Sequence, residues 1–384
     1  MSQLTTKLSE YWHRIQGSLF PWLEEELDPL TTKQQQFISI LELIRIEEFI
    51  PKFYGCEGRP QKERGAVARS FVAKMVYNLD TSTALIERLH TDKNLRRICG
   101  WETRREIPSA STFSRAFADF AETKLSARAH QALIENTLAD QVILHASQDS
   151  TAIEARERAL RKIKPSKEPK PKRSKGRPRK GEVIENTEHE LRRIEKQRTM
   201  TLEEMLKDLP TGCDRGAKKD SKGNTLYWTG YKLHLVTVDG GIPVSAIITS
   251  ASMHDSQAAI PLTTLTAERI MNLYDLMDSA YDIPEIIAHS QSLGHIPLID
   301  KNPRRNKAQR EAKEMETKAR KVLNFYPAEV VRYNNRTTAE RANARLKDEF
   351  GVCKVRVRGQ IKVACHLMFG VLVLAADQLL KLVM

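Results

Sequence analysis

Residues 333 to 347 read YNNRTTAERANARLK, and within them Tyr333, Arg336, Glu340 and Lys347 stand at successive offsets of three, four and seven. Each offset is close to a whole number of turns of a 3.6-residue helix. At about 100° per residue the four side chains fall inside an arc of roughly 60°. A helix here would carry a phenol, a guanidinium, a carboxylate and an ammonium on one narrow stripe. A second reading competes with this one. TTAE matches a capping box in which Thr337 caps a helix and Glu340 reaches back to its amide. That reading leaves Tyr333 and Arg336 on the approach to the helix. Under both, Glu340 sits in the first turns and can face a cleft.

Two further carboxylates belong to the same chemistry. Asp149 in SQDST and Asp278 in LMDSAYD each close a strand-like run. A strand-end aspartate can cap a turn or a following helix. Carboxylates at the ends of adjacent strands are instead exposed to each other, and three converging without a cation would repel and raise one another's pKa. A hard divalent ion removes that cost. Two such ions about 3.5–4 Å apart suit in-line displacement at phosphorus. Mg²⁺ takes oxygen ligands and keeps several waters, so two or three carboxylates suffice.

These residues need elements to hold them. QVILHASQD (141–149) reads as a buried strand ending in its acid. YWTGYKLHLVTVD and IPVSAIITSAS, separated by Gly240 and Gly241, read as a hairpin. A helical segment (256–271) follows, then the strand LYDLMD up to Asp278 and a short strand IPLID (296–300). A polar, charge-laced helix (304–323) precedes the opening stretch. The order predicts an α/β catalytic domain with a mixed sheet over 136–384, interrupted after its first strand by a basic, partly disordered insertion at about 153–226. The C-terminal run HLMFGVLVLAADQLLKLVM is broken by Asp377, Gln378 and Lys381, which predicts a docked core helix rather than a membrane span.

Residues 1–135 read as a helical N-terminal domain for DNA binding. In IPSASTFSRAFADFAE, Pro108, Ser109 and Ser111 mark a helix start, and Phe113, Phe117 and Phe120 recur at core spacing with Ser114 and Arg115 opposite. That helix is either a recognition helix placing Arg115 at DNA or a solvated helix of a bundle.

The 384 residues carry a formal net charge of +13 with a pI near 9.4, which points to a polyanionic partner. The excess is local: residues 156–180 hold thirteen Lys or Arg and two Glu, a sum of +11 that leaves +2 elsewhere. Within that tract Lys175, Gly176, Arg177, Pro178 and Arg179 resemble an AT-hook, an extended Arg-Pro segment for the narrow minor groove of A·T tracts. A basic linker with non-specific phosphate attraction is the plainer reading. Five cysteines without a C-x-x-C pair argue against a zinc ribbon and a disulfide framework, and the N-terminus lacks the apolar core of a signal peptide. A cytoplasmic protein is expected, in the nucleoid with its DNA. Lys232 can reach a phosphate. His234, His254 and Asp282 read either as structural residues or as further ligands of the site.

The spacing Y-x2-R-x3-E-x6-K is matched at all four positions. Together with QDST, GYKLHLVTVDGGIPVSAIITSASMHDSQ and MDSAYD in that order, it resembles the signature of bacterial insertion-sequence transposases of the DDE type. IPSASTFSRAF is similar to the end of the helical domain that precedes the catalytic domain in many of them. The resemblance implies an RNase H-like domain whose triad Asp149, Asp278 and Glu340 binds Mg²⁺ or Mn²⁺. It implies that Tyr333, Arg336 and Lys347 contact the transposon end, Arg336 and Lys347 at phosphates and Tyr333 stacked on an unpaired base. A homodimer on double-stranded DNA follows, because two ends are cut in concert. Ala280 stands where the family usually has glycine. The 61 residues between Asp278 and Glu340 leave little room for the large insertion of some relatives. Two rivals remain, a metal-dependent nuclease without strand transfer and a catalytically idle DNA-binding protein.

Overall fold

The computed structural model describes residues 2–51, 63–160, 192–219, 223–303, 306–353 and 355–383. The AT-hook-like segment 175–179 and most of the basic tract lie outside them. Eight helices come first: α1 (Ser2–Arg14), α2 (Phe20–Glu26), α3 (Thr32–Ile44), α4 (Arg64–Val76), α5 (Ser82–Thr91), α6 (Lys93–Ile98), α7 (Ala110–Glu122) and α8 (Leu125–Leu138). Their starts follow local chemistry. Thr31 and Gln34 form a reciprocal capping box for α3, and the Thr81 and Asp92 side chains cap α5 and α6. In α7 the apolar face Phe113, Phe117 and Phe120 is buried and Arg115 is exposed.

The second half is built on β1 (Val142–Glu154), β2 (Asp214–Lys219), β3 (Thr225–Val238), β4 (Ile242–Ser250), β5 (Met271–Met277) and β6 (Ile296–Ile299). β1 pairs antiparallel with β3, which pairs antiparallel with β4, while β5 joins β1 and β6 joins β5 in parallel. The order β4–β3–β1–β5–β6 is thus a mixed sheet. The β3–β4 turn needs left-handed backbone at Gly240 (φ 83°) and Gly241 (φ 73°), which glycine adopts without strain. Gly230 lies where β3 exchanges β2 for β4 as its edge partner, and a Cβ there would stand 2.1 Å from the Ile153 carbonyl oxygen.

Helices α9 (Arg193–Gln197), α10 (Leu202–Asp208), α11 (Ala259–Ala267) and α12 (Pro284–Ser292) pack together beside the sheet. The expected insertion 153–226 is therefore partly integral to the domain. β1 runs on to Glu154, α9 and α10 dock on α11 and α12, and β2 extends the edge of β3. Arg193 fastens α9 with ion pairing to Asp208 (2.6 Å) and a hydrogen bond to Gln257 (2.7 Å).

The chain closes with α13 (Lys307–Leu323), α14 (Ala328–Tyr333), α15 (Thr337–Asp348) and α16 (Gln360–Leu380). Apolar all round, α16 has to be buried all round. It is the one described helix long and apolar enough to cross a membrane, and 89% of its apolar window is covered by the rest of the fold. It packs against α3, α4, α7 and α8 on one side and β4 on the other. Phe369 meets Phe71 (6.0 Å between ring centroids) and Phe117 (6.3 Å). Asp377, buried in this helix, is neutralised by Arg345 at 2.7 Å and Lys381 at 3.2 Å. Helix α8 ends at Leu138, and the apolar core runs on from the helices into the sheet because α16 is shared.

Candidate active site

The parallel pairing of β1 and β5 sets the centre of the site. Val142 lies opposite Met271, His145 opposite Tyr274 and Ser147 opposite Leu276. Two residues further on stand Asp149, still within β1, and Asp278, just past the end of β5, close enough for the charge of one to act on the other. Burial pushes the Asp149 carboxyl above its ordinary value and the charge of Asp278 adds to it. A backbone hydrogen bond at Ser150, the charge of Arg336 and the amide of Asn343 pull in the other direction. Asp278 also caps the turn that follows it, its Oδ1 accepting from the Ala280 amide at 2.8 Å.

The segment from α14 through a 3₁₀ turn (Asn334–Arg336) into α15 crosses this face. Thr338 Oγ1 donates to Ser147 Oγ (3.3 Å), Ser147 Oγ to the Asn335 carbonyl (3.4 Å) and Asn343 Nδ2 to Asp149 Oδ2 (3.1 Å). The capping box is not formed. Arg336 is the residue preceding α15 and makes no side-chain cap, and Thr337 donates to the Asn334 carbonyl at 3.0 Å. Glu340 and Lys347 share one face of the continuous helix α15, and a 3₁₀ turn carries Tyr333 and Arg336 up to it. Arg336 lies over the Tyr333 ring at 5.9 Å and pairs with Glu340 at 2.6 Å. Lys347, two turns on, is partly buried near Lys218 and Glu154, and burial is the main cause of its lowered pKa.

Arg336 thus neutralises carboxylates from two elements, Glu340 by contact and Asp149 through its field. Among the described residues no three His, Cys, Asp or Glu side chains converge closely enough to hold an ion. Two of the expected three do converge, and the third is turned onto Arg336 with about half of its side chain exposed (51%). The donor set still fits a hard divalent cation. It is all oxygen, it includes a carboxyl raised by burial and then by the charge of Asp278, and the Glu340 side chain is half exposed.

Some expected residues lie elsewhere. The register with β1 puts Lys232 opposite Ala152, on the sheet face away from Asp149. There it pairs with Asp255 (2.8 Å) and donates to the Met253 carbonyl (2.8 Å). His234 is buried beside it, bonded to Thr249 at 2.9 Å, and burial lowers its pKa to about 4. His254 caps the turn at Asp255. Asp282 accepts from the Asn302 amide at 2.9 Å.

Other residues enter that the sequence reading passed over. Asn343 lies three residues after Glu340 on the same helix, a spacing that could have been read. Arg332 covers the Tyr274 ring at 4.7 Å, Tyr274 stacks on His145 at 5.7 Å, and His145 pairs with Asp239 at 2.8 Å, which extends the aromatic and cationic rim beyond Tyr333. Tyr281 is buried, its phenol pushed well above the usual range by burial and then by Asp255, Asp149 and Asp278.

The chain matches the family model of a transposase DDE domain over residues 149–375 and that of a second transposase domain (DUF772) over residues 23–119. No curated protein and no solved structure is significantly similar. The first match begins at Asp149 and takes in Asp278, Glu340 and most of α16, more than half of the chain, while the second lies within the helices that α16 joins to the sheet. The chain belongs to the DDE-domain transposases of insertion sequences, metal-dependent enzymes that cut DNA and transfer the cut strand.

Proposed function

We propose that Asp149, Asp278 and Glu340 are the acidic triad, on an RNase H-like sheet, that holds two Mg²⁺ ions for cleavage at the transposon ends and joining of the freed 3′-hydroxyl to target DNA. The observation that carries this reading is the β1–β5 register, which sets Asp149 beside Asp278 under the helix that bears Glu340. When bound, the ions lower the pKa of the attacking water or hydroxyl and stabilise the leaving oxygen. The chain's own residues do the rest. Asn343 and the backbone at Ser150 orient the Asp149 carboxylate, whose remaining lone pairs would serve the cation. Arg336 holds Glu340 until DNA and metal arrive, then is available to a phosphate. Tyr333, beside it, offers a face for an unpaired base. Lys347 supplies a cation further along the same helix.

The helical region 1–135 is assigned to holding the transposon end, with Arg115 on the free face of α7. The protein works in the cytoplasm as a homodimer, one active centre for each end. A labelled transposon-end duplex incubated with Mg²⁺ and a target plasmid tests the assignment. Wild type gives joined products flanked by a target-site duplication, and Asp149→Asn binds the end but neither nicks nor joins. Nicked ends without joining would favour a plain nuclease. Unchanged joining by the variant would remove Asp149 from the triad.

A further inference from the structure

Helix α13 is amphipathic with its sides reversed. Lys313 ties it to the body, pairing with Asp300 (2.6 Å) and donating to the Lys301 carbonyl (3.1 Å), and no residue of the helix is buried. Its apolar side chains face solvent, and all but Leu323 fall on one seam: Ala308, Ala312, Met315, Ala319 and Val322, at offsets of four, three, four and three. Met315 is 72% and Val322 84% exposed. That spacing gives the narrow two-in-seven seam of a coiled coil, not the wider stripe of a helix docked on a core.

We propose that α13 is a self-association helix that pairs antiparallel with α13 of a second copy of this chain. The charges flanking the seam select the partner and its direction. Glu311 and Lys318 line one side, Gln309 and Glu316 the other. In a parallel pair, Glu311 of each copy meets Glu316 of the other, two like-charge contacts. An antiparallel pair that sets Met315 against Ala312 of the second copy brings Glu311 to Lys318 twice and Gln309 to Glu316 twice. Each Met315 then faces an alanine, so a large side chain fills the space a small one leaves. The helix leaves β6 at Asp300 and leads through α14 to Tyr333, so pairing here couples the two catalytic faces directly.

This inference rests on the homodimer reading above, and the test separates the two. The full-length chain is run by sedimentation velocity, with and without transposon-end duplex, as wild type, Met315→Glu, Glu311→Lys, Lys318→Glu and the double charge swap. All four variants change exposed side chains, and circular dichroism confirms their fold. The expected result is a dimeric wild type, loss of dimer in each single variant, and its return in the double swap. A wild type that stays dimeric through every substitution places the dimer interface elsewhere and overturns the role of α13. A wild type that is monomeric with and without DNA overturns the homodimer reading and this inference together.

Discussion

Replacing Glu340 with Gln removes one charge from the end of the Arg336 pair and leaves the shape of the side chain. The structure sets the stability cost. The pair is a helical i, i+4 contact with Glu340 half exposed, so solvent screening leaves it about 0.3–0.5 kcal/mol. Loss of an acid from the first turn of α15 costs about as much again through the helix dipole. The sum stays under about 1 kcal/mol, a fall in Tm of roughly 1 °C for a chain of this size. As a metal ligand, Glu340 contributes far more to the transition state. A loss of about 4 kcal/mol there is roughly a thousandfold in rate. The assay is single-turnover cleavage of a labelled end duplex under saturating protein, with thermal unfolding and end binding measured on the same preparation. The expected outcome is a near-native Tm, retained binding and cleavage reduced about a thousandfold. Cleavage within about tenfold of wild type, at unchanged metal dependence, would refute the reasoning and leave Glu340 as no more than the partner of Arg336.

Three further outcomes follow from other parts of the fold. Asn343→Ala deletes the 3.1 Å hydrogen bond to Asp149, and loss of such a ligand-orienting contact should raise the Mg²⁺ concentration for half-maximal cleavage about tenfold or more; an unchanged metal titration counts against the positioning role. His130, His234 and His366 are buried neutral, with burial lowering their pKa values to about 3, 4 and 3 from an ordinary value of about 6.5. Their folded pKa values lie below the unfolded one, so the unfolded chain binds the extra protons and stability falls as pH drops below 6.5. At pH 5 each should cost about 2 kcal/mol, and urea titrations at pH 7 and 5 that give equal free energies would exclude this. Phe369→Ala opens a cavity against Phe71 and Phe117 and should cost about 3–5 kcal/mol, lowering one cooperative transition seen alike by Trp101 and Trp228 fluorescence; two separated transitions would mean that the helical and sheet halves do not share a core.

What could be read from the sequence is what local chemistry specifies. The short apolar run in 141–149, the Gly240–Gly241 turn and the apolar run behind α16 each fix an element from within its own residues. The same holds for the stripe of Tyr333, Arg336 and Glu340, because helical geometry alone brings offsets of three and four together. Spacing could also name Asp149, Asp278 and Glu340 as candidates, although Asp149 does not end its strand: β1 runs on to Glu154 against β3, and only its ladder with β5 stops before Asp149. Tertiary structure decided how they meet. The β1–β5 register that aligns Asp149 with Asp278 depends on which face of each strand is buried, and a slip of one residue would send one aspartate through the sheet. The same parity put Lys232 on the far face with Asp255, which no reading of YKLH could settle. Asn343 reaches Asp149, and Arg336 answers to both Glu340 and Asp149, because α15 lies across β1. The joining of both halves around α16 is likewise non-local. An all-apolar helix must be buried, but only the packed chain determines that the N-terminal helices and β4 bury it together.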